Sequence, residues 1–277
     1  MKNLNLKIFV ACHQPCKIHE DDVFIPIQVW KKNAKVDLWI LWDDTWDSIS
    51  NLNDKYCELT WQYRVRKNYN LENVDYIWFF HYRRFFWYKY KTNIFNLIKN
   101  LGISWNFYHA YMEHVRFLSR EEIDFQALWQ QIKNYIYIHK NNIYLPKRHH
   151  TPKSKALKDL CTSNKKIREL ILNSIKEAEP LYYSTTIDTI KTYNKHNHRN
   201  MFIMDKNYFN RYMEFQFNIL FKLDALLKQY NLEKVDNDWK RMMGMYSESF
   251  INFFTNFEEK YNNCKISRQA NILFLKD

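Results

Sequence analysis

The chain has 277 residues, 46% hydrophobic and 26% charged, enough apolar material to bury the core of one large domain. Its formal net charge of +12 points to an anionic partner (nucleotide, phosphate, nucleic acid or an acidic membrane face), or to a coding bias toward lysine with no ligand behind it. No apolar run reaches the ~18 residues of a membrane-spanning helix, and the apolar part of MKNLNLKIFVA is too short for a signal peptide.

Residues 5–11 (NLKIFVA) predict a first strand, with His13, Gln14 and Pro15 at its carboxyl end. Residues 16–35 are irregular apart from an extended run at Phe24–Val29. Two short apolar runs follow, Asp37–Leu41 and Val74–Phe80. Each ends in a polar cluster: Asp43, Asp44 and Asp47 after the first, His81, Arg83 and Arg84 after the second. The segment 53–68 between them predicts a helix, with Leu59, Tyr63 and Arg66 on one face and Glu58 and Gln62 beside it. This order of strand, acidic loop, helix, strand and basic loop is that of an α/β sheet. Parallel α/β sheets carry ligand sites at the carboxyl ends of their strands. Both clusters are therefore expected on one rim of a single pocket.

Residues 92–117 are aromatic without strand alternation. Residues 120–135 predict a helix burying Ile123, Leu128 and Ile132, and 135–145 a strand ending at Pro146. KRHHTPKSK (147–155) reads as a basic loop. Helices are expected over 158–178, 183–196, 206–230 and 238–257, with short strands at Asn200–Met204 and Ala270–Leu275. The expected architecture is one domain over 1–277: an α/β nucleotide-binding part over 1–90 and a mainly helical part over 91–277. Five cysteines, with Cys12 and Cys16 spaced unlike a CxxC pair, predict free thiols in a reducing cytosol.

In chain order the blocks IFVACHQP, PIQVxK, DLxILxDDTxDSIS, YCELTxQYxVxKN, VDYIxFFHYRRFF, NMFIM and RMMGMYSESFINFF resemble a bacterial family catalogued as domain of unknown function 4422. The likeness runs from about Lys7 to the end, and DDTxD together with HYRR is its specific part. Members of that family look like glycosyltransferases of capsule, exopolysaccharide and lipopolysaccharide gene clusters. The resemblance implies a GT-A-like sheet and a nucleotide-diphosphate sugar donor such as a UDP-sugar. It also implies transfer of a hexose, galactose in pyranose or furanose form, to a lipid-linked or polysaccharide acceptor. The setting is cytoplasmic, with contact at the inner membrane face through the basic segments 147–155 and 191–199. No nucleic-acid partner is implied. The alternative, a nucleic-acid-binding protein, rests on the net charge of +12 and 18% aromatic content.

The polar clusters take on chemistry in that setting. Carboxylates after a strand accept hydrogen bonds from ribose hydroxyls, which suits Asp43, Asp44 and Asp47; a solvated turn capping a helix is the alternative. Arginine forks bind phosphate oxygens, so Arg83 and Arg84, with His81, can stabilise charge on a leaving diphosphate without a metal. An ion pair with Asp75 or Glu58 competes with that reading. Asp43 and Asp44 can also hold Mg²⁺ or Mn²⁺, and no other cofactor is implied. Glu58 either serves its helix dipole or orients the basic cluster or a sugar hydroxyl. His13 faces the nucleotide pocket and Asn200 the sugar or acceptor side. Arg241 and Glu248, seven apart, share a helix face; Glu248 is the candidate general base, with an Arg–Glu pair as the plain alternative. His149, His150, His196 and His198 fit basic loops better than a metal site.

The departures from the family pattern obey one rule. The resemblance implies glycine at 30, 39, 42, 46, 61, 78 and 87, where this chain has tryptophan, and tryptophan at 64 and 66, where it has arginine. The chain has two glycines where typical usage predicts about 19. A translation under the wrong genetic code, with UGA glycine codons read as tryptophan and CGA or CGG tryptophan codons read as arginine, accounts for both facts. The expected outcome of sequencing the gene is UGA at those seven positions; UGG at 42 and 46 excludes this explanation.

Overall fold

The structure, a computed structural model, describes residues 4–13, 20–81, 84–87, 115–119, 124–147, 149–150, 160, 162, 164–192, 195–197, 200–234 and 239–276. Its centre is β1 (Leu6–Cys12), whose side chains are buried on both faces of a sheet. Ile8 and Val10 point to one face and Phe9 and Ala11 to the other, the period-2 alternation of a covered strand. β1 runs parallel to β2 (Phe24–Gln28) on one side and to β4 (Tyr76–His81) on the other, and β3 (Leu41–Trp42) extends the sheet beyond β2.

Past β4 the direction reverses. β10 (Phe202–Asp205) is antiparallel to β4 and to β7 (Ile143–Pro146). β11 (Ile266–Lys276) then pairs in parallel with β7 and β6 (Val115–Ser119), and antiparallel with β5 (Arg84–Trp87). A separate antiparallel pair joins β8 (His149–His150) to β9 (Lys195–His196).

Helices cover both faces. α1 (Asn53–Tyr56), α2 (Leu59–Asn68), α4 (Lys165–Ala178), α5 (Pro180–Thr192), α6 (Lys206–Gln229) and α7 (Met242–Tyr261) pack over Phe9, Phe79, Phe202 and Met204. α3 (Phe125–His139) covers Ile8, Val10, Trp78 and Ile203 with Leu128, Ile132 and Ile136. The mixed α/β class agrees with the sequence. Phe79 anchors the helical layer: Phe9 and Phe209 stack on it at 5.4 Å, and Trp61 meets it edge-on at 4.6 Å. Deeper in that layer the fully buried Glu258 carboxylate accepts from Tyr182 (2.8 Å), Arg211 (2.7 Å) and Asn262 (2.8 Å), joining α5, α6 and α7.

Several elements differ from expectation: the helix expected over 183–196 runs from Pro180 to Thr192 with a strand at Lys195–His196, the one expected over 158–178 starts at Lys165, and three further differences have a local cause. The helix over 53–68 is broken at Cys57, which sits at φ 50°, ψ −130° between α1 and α2. Seven consecutive residues of α2, Leu59–Val65, are buried, so only its last turn reaches solvent. The strand over 135–145 starts only at Ile143: Ile136 continues the four-residue spacing of Leu128 and Ile132, and α3 runs on until Lys140 closes it in the left-handed conformation. The run Asp37–Leu41 contributes Leu41 alone to β3, because Trp39 has φ 56° and cannot continue an extended chain.

Trp39 belongs to a group. Trp30 (φ 66°), Trp39 (φ 56°) and Trp46 (φ 56°) all occupy the left-handed region, and Trp39 and Trp46 are 86% and 82% exposed. That conformation strains any residue with a Cβ and suits glycine. Trp61 and Trp78, by contrast, are in the core, and the buried Trp61 indole N–H has no hydrogen-bond partner among the described residues. Arg64 is only 4% exposed; its Nε and Nη1 also lack partners among the described residues, and burial pushes its guanidinium below its ordinary pKa. Relief of left-handed strain gives ~1–2 kcal/mol per site, against ~0.5–1 kcal/mol for glycine's extra chain entropy. The triple substitution Trp30→Gly, Trp39→Gly, Trp46→Gly is therefore expected to raise stability by about 2 kcal/mol in denaturant titrations. An unchanged or lower midpoint contradicts the strain argument.

Candidate functional site

The parallel pairing of β1 with β2 and β4 puts their carboxyl ends on one edge of the sheet, and antiparallel β10 starts from the same edge. Ala11 pairs with His81, and the β4–β10 register, extended by two residues past Phe79↔Phe202, brings Asn200 opposite His81. His13, His81 and Asn200 thus lie at the tips of three adjacent strands. The tip of β3, with Asp43, is on the same edge but is separated from β4 by β2 and β1. At ~4.8 Å per strand that is about 14 Å. The acidic and basic clusters share a rim without being neighbours.

Asp43 does not face that rim. It is fully buried, and its carboxylate accepts from the backbone N–H of Trp30 (3.2 Å) and Lys31 (3.2 Å) and from Ser50 Oγ (2.7 Å) and Thr60 Oγ1 (2.7 Å). A carboxylate offers about four acceptor positions, and all are taken. Burial pushes this carboxyl above the usual carboxylate range, opposed by those same hydrogen bonds. The reading of Asp43 as a ribose contact therefore gives way to a structural brace that ties the β2 and β3 loops to α2. Asp44 is exposed. With one carboxylate turned in and the other out, Asp43 and Asp44 do not face one cation. Among the described residues no group of three His, Cys, Asp or Glu side chains is arranged to hold a metal.

Asp47 is also on the surface, where Tyr63 donates to it at 3.0 Å and Lys67 approaches to 3.5 Å. Asn68 donates to the Thr45 and Asp47 carbonyls, so the acidic loop is fastened along α2.

Glu58 supplies the negative charge nearer to β4. It opens α2 without capping it, and its Oε1 accepts from Asn200 Nδ2 at 3.1 Å. The same amide nitrogen reaches Ser247 Oγ (2.9 Å) and the Gly244 carbonyl (3.3 Å) on α7. Arg241, exposed at the start of α7, donates to the Cys57 thiol and feels the Glu58 and Glu248 carboxylates; together these contacts hold its pKa above the ordinary value. Burial pushes the Cys57 thiol up to about 11, so at neutral pH the Arg241 contact is to a protonated sulfur. Four residues singled out from three distant stretches, Glu58, Asn200, Arg241 and Glu248, thus converge.

Close packing makes this possible. A Cβ on Gly244 would meet Cys57 Cβ at 3.2 Å and Sγ at 3.4 Å, so the absence of a side chain there lets α7 seat on the strained turn that carries Glu58. Cys57, Gly244 and Ser247, and the Asp43 partners Ser50 and Thr60, were not expected in the site. No periodicity links them, and only the tertiary contact reveals their part.

For the basic cluster the backbone alone is placed. His81 ends β4 and Arg84 opens β5, while the side chains of both, and Arg83 entirely, lie outside the described residues. Among the described residues Cys12, Cys57 and Cys264 form no disulfide, and Cys16 and Cys161 lie outside the described residues. The basic segments around 147–155 and 191–199 meet through the β8–β9 pair, His149 opposite His196 and His150 opposite Lys195; residues 151–155 lie outside the described residues.

A cleft of about 1290 Å³ occupies the opposite edge, where β1 and β4 begin, and none of the expected site residues line it. Two of its acids are already engaged: Asp75 accepts from Asn5 N–H (2.8 Å), and Asp205 caps α6 through Asn207 and Tyr208 (both 3.0 Å). No helix among the described residues is long and apolar enough to cross a membrane.

The brace is testable apart from any activity. Asp43→Asn keeps the shape but turns an amide donor toward hydroxyl or N–H donors. It is expected to lower unfolding stability by about 2 kcal/mol, whereas Asp44→Asn at the surface stays within about 0.5 kcal/mol. Equal, small effects contradict the brace.

Comparison with known proteins agrees with this geometry. A solved structure described as the apo form of WbbM, a bifunctional glycosyltransferase, superimposes with a TM-score of 0.76 at 22% identity. The match covers 99% of this chain and 46% of that chain, so this chain spans about half of its length. At that identity the likeness establishes the fold. No curated protein matches the sequence. The sequence matches the family described as "Domain of unknown function (DUF4422)" over residues 7–260, and the chain belongs to that family.

Proposed function

We propose that this protein is a glycosyltransferase that moves a hexose from a nucleotide-diphosphate sugar to a polysaccharide precursor, with a GT-A-like sheet as its donor platform. The observation that carries the reading is the meeting of Glu58, Asn200, Arg241 and Glu248 at the edge where β1 and β4 end. Open α/β sheets bind ligands at that kind of edge. The likeness to a bifunctional glycosyltransferase supports the same reading.

The acceptor hydroxyl attacks the anomeric carbon, the bond from that carbon to the diphosphate oxygen breaks, and the hydroxyl proton passes to a carboxylate. Glu248 is our candidate for that base. The Arg241 guanidinium lies in the field of this carboxylate, and a positioned carboxylate is a usual proton acceptor for a sugar hydroxyl. Negative charge grows on the diphosphate as it leaves. Arg241, with Arg83, Arg84 and His81 from the β4 end, supplies cations of matching sign. Glu58, held by Asn200, is the hydroxyl-reading carboxylate of the sugar. Asp44 and Asp47 remain accessible at the far end of the rim, about three strands away, for the nucleoside. His13 lies between the two ends, at the tip of β1. The acceptor is lipid-linked or polymeric and arrives at the inner membrane face, where the basic β8–β9 pair meets anionic headgroups.

The test is incubation with a panel of UDP-, GDP- and dTDP-hexoses, reading release of free nucleoside diphosphate with and without a lipid-linked acceptor. One member of the panel is expected to be turned over. Arg241→Ala is expected to lower kcat/KM at least 100-fold with an unchanged melting temperature. No release from any donor under either condition removes the enzyme reading.

A further inference from the structure

Asn200 is 7% exposed and starts the short segment that leads into β10, yet its side chain serves neither that strand nor a turn. Its Nδ2 lies within reach of two groups that can only accept, Glu58 Oε1 (3.1 Å) and the Gly244 carbonyl (3.3 Å). Those neighbours fix which end of the amide is nitrogen, because the reverse orientation would set oxygen against oxygen. Beside them sits Ser247, whose hydroxyl is fully buried, donates back to the Gly244 carbonyl at 2.7 Å and accepts from Asn200 Nδ2 at 2.9 Å. The Asn200 Oδ1 lies 3.2 Å from the same hydroxyl. Gln62 Nε2, one helical turn after Glu58, reaches the Asn200 carbonyl at 3.4 Å, so α2 contacts both ends of this residue.

We propose that Ser247 is a positioning residue: it clamps the Asn200 amide against the first two turns of α7, and that amide in turn holds the Glu58 carboxylate toward an incoming sugar hydroxyl. The proposal rests on the reading of Glu58 given above. A back-bonded serine inside a helix slightly weakens that helix, so its conformation here is explained by what its oxygen does for Asn200. Carboxylates that must bind hydroxyls in a fixed direction need such support, since a side chain displaced by 1 Å can cost about 100-fold in rate.

The test separates this chain of contacts from both general stability and the enzyme reading. Ser247→Ala is expected to lower kcat/KM for the turned-over nucleotide sugar about tenfold with a near-native melting temperature. Ser247→Thr, which keeps the hydroxyl, restores most of it. In a Glu58→Gln background the same Ser247→Ala change is expected to cost less than twofold, because the group it positions is already altered. An equal loss in both backgrounds overturns the proposal, as does an unaffected kcat/KM. A second readout needs no turnover: the side-chain amide signals of Asn200 in ¹⁵N-labelled protein, identified by their loss in Asn200→Asp. They are expected to shift and to exchange faster with solvent in Ser247→Ala and to stay in place in Ser247→Thr. If no donor is turned over, the enzyme reading fails on its own, and unmoved Asn200 signals then overturn the clamp separately.

Discussion

The parallel alignment of β1 with β2 and β4 is the constraint from which the candidate site follows. It gives one edge of the sheet a common polarity, so that chain segments far apart in sequence end at the same place. The alignment is stable because both faces of these strands are covered, with alternate residues of β1 feeding two separate cores. Reversal at β10 then delivers Asn200 to that edge from the opposite chain direction. A sheet paired in the other sense would have carried Asn200 away from His81.

Two buried polar centres turn this edge into defined geometry. At the far end Asp43 gathers two backbone N–H groups and two hydroxyls, fixing the β2 and β3 loops. At the near end Asn200 bridges α2 and α7 through Glu58, Gly244 and Ser247. The Asp43 centre is fully satisfied, which is the condition under which buried polar groups specify a conformation rather than weaken it. Strain gathers in the same places: Cys57 precedes Glu58, and Trp30 and Trp46 flank the Asp43 brace in backbone conformations that glycine adopts freely. Near Glu58 the strained turn has a packing role, since it lets α7 approach closely at Gly244. At Trp30, Trp39 and Trp46 no packing compensates for it, and the large, exposed side chains of Trp39 and Trp46 look misplaced on physical grounds alone.

The central strands were legible because their alternation and β-branched or aromatic content survive any local detail. Long helices were legible from their periodicity. Expectation went astray where a local signal was overridden. Tyr135–His139 is aromatic and β-branched enough to suggest a strand, yet Ile132 and Ile136 bury on the helical period and α3 absorbs it. Glu58, Asn200, Arg241 and Glu248 were each singled out as polar residues in their segments, but nothing local says that they meet. Asp43 was misjudged for the same reason: a run of aspartates after a strand does not reveal which one turns inward.

By itself, then, the sequence determined the α/β class, the strands β1 and β4, and the identity of the polar residues at their ends, because these depend on side-chain type and spacing of only a few residues. The tertiary structure alone decided that Asp43 braces the fold while Glu58 meets Asn200, and that Cys57, Gly244 and Ser247 pack around that contact. Those assignments depend on strand order and on hydrogen bonds between residues 17 to 142 positions apart. At that separation, which acceptor meets which donor is set by the packing of the whole sheet with its helices, and no local pattern encodes it.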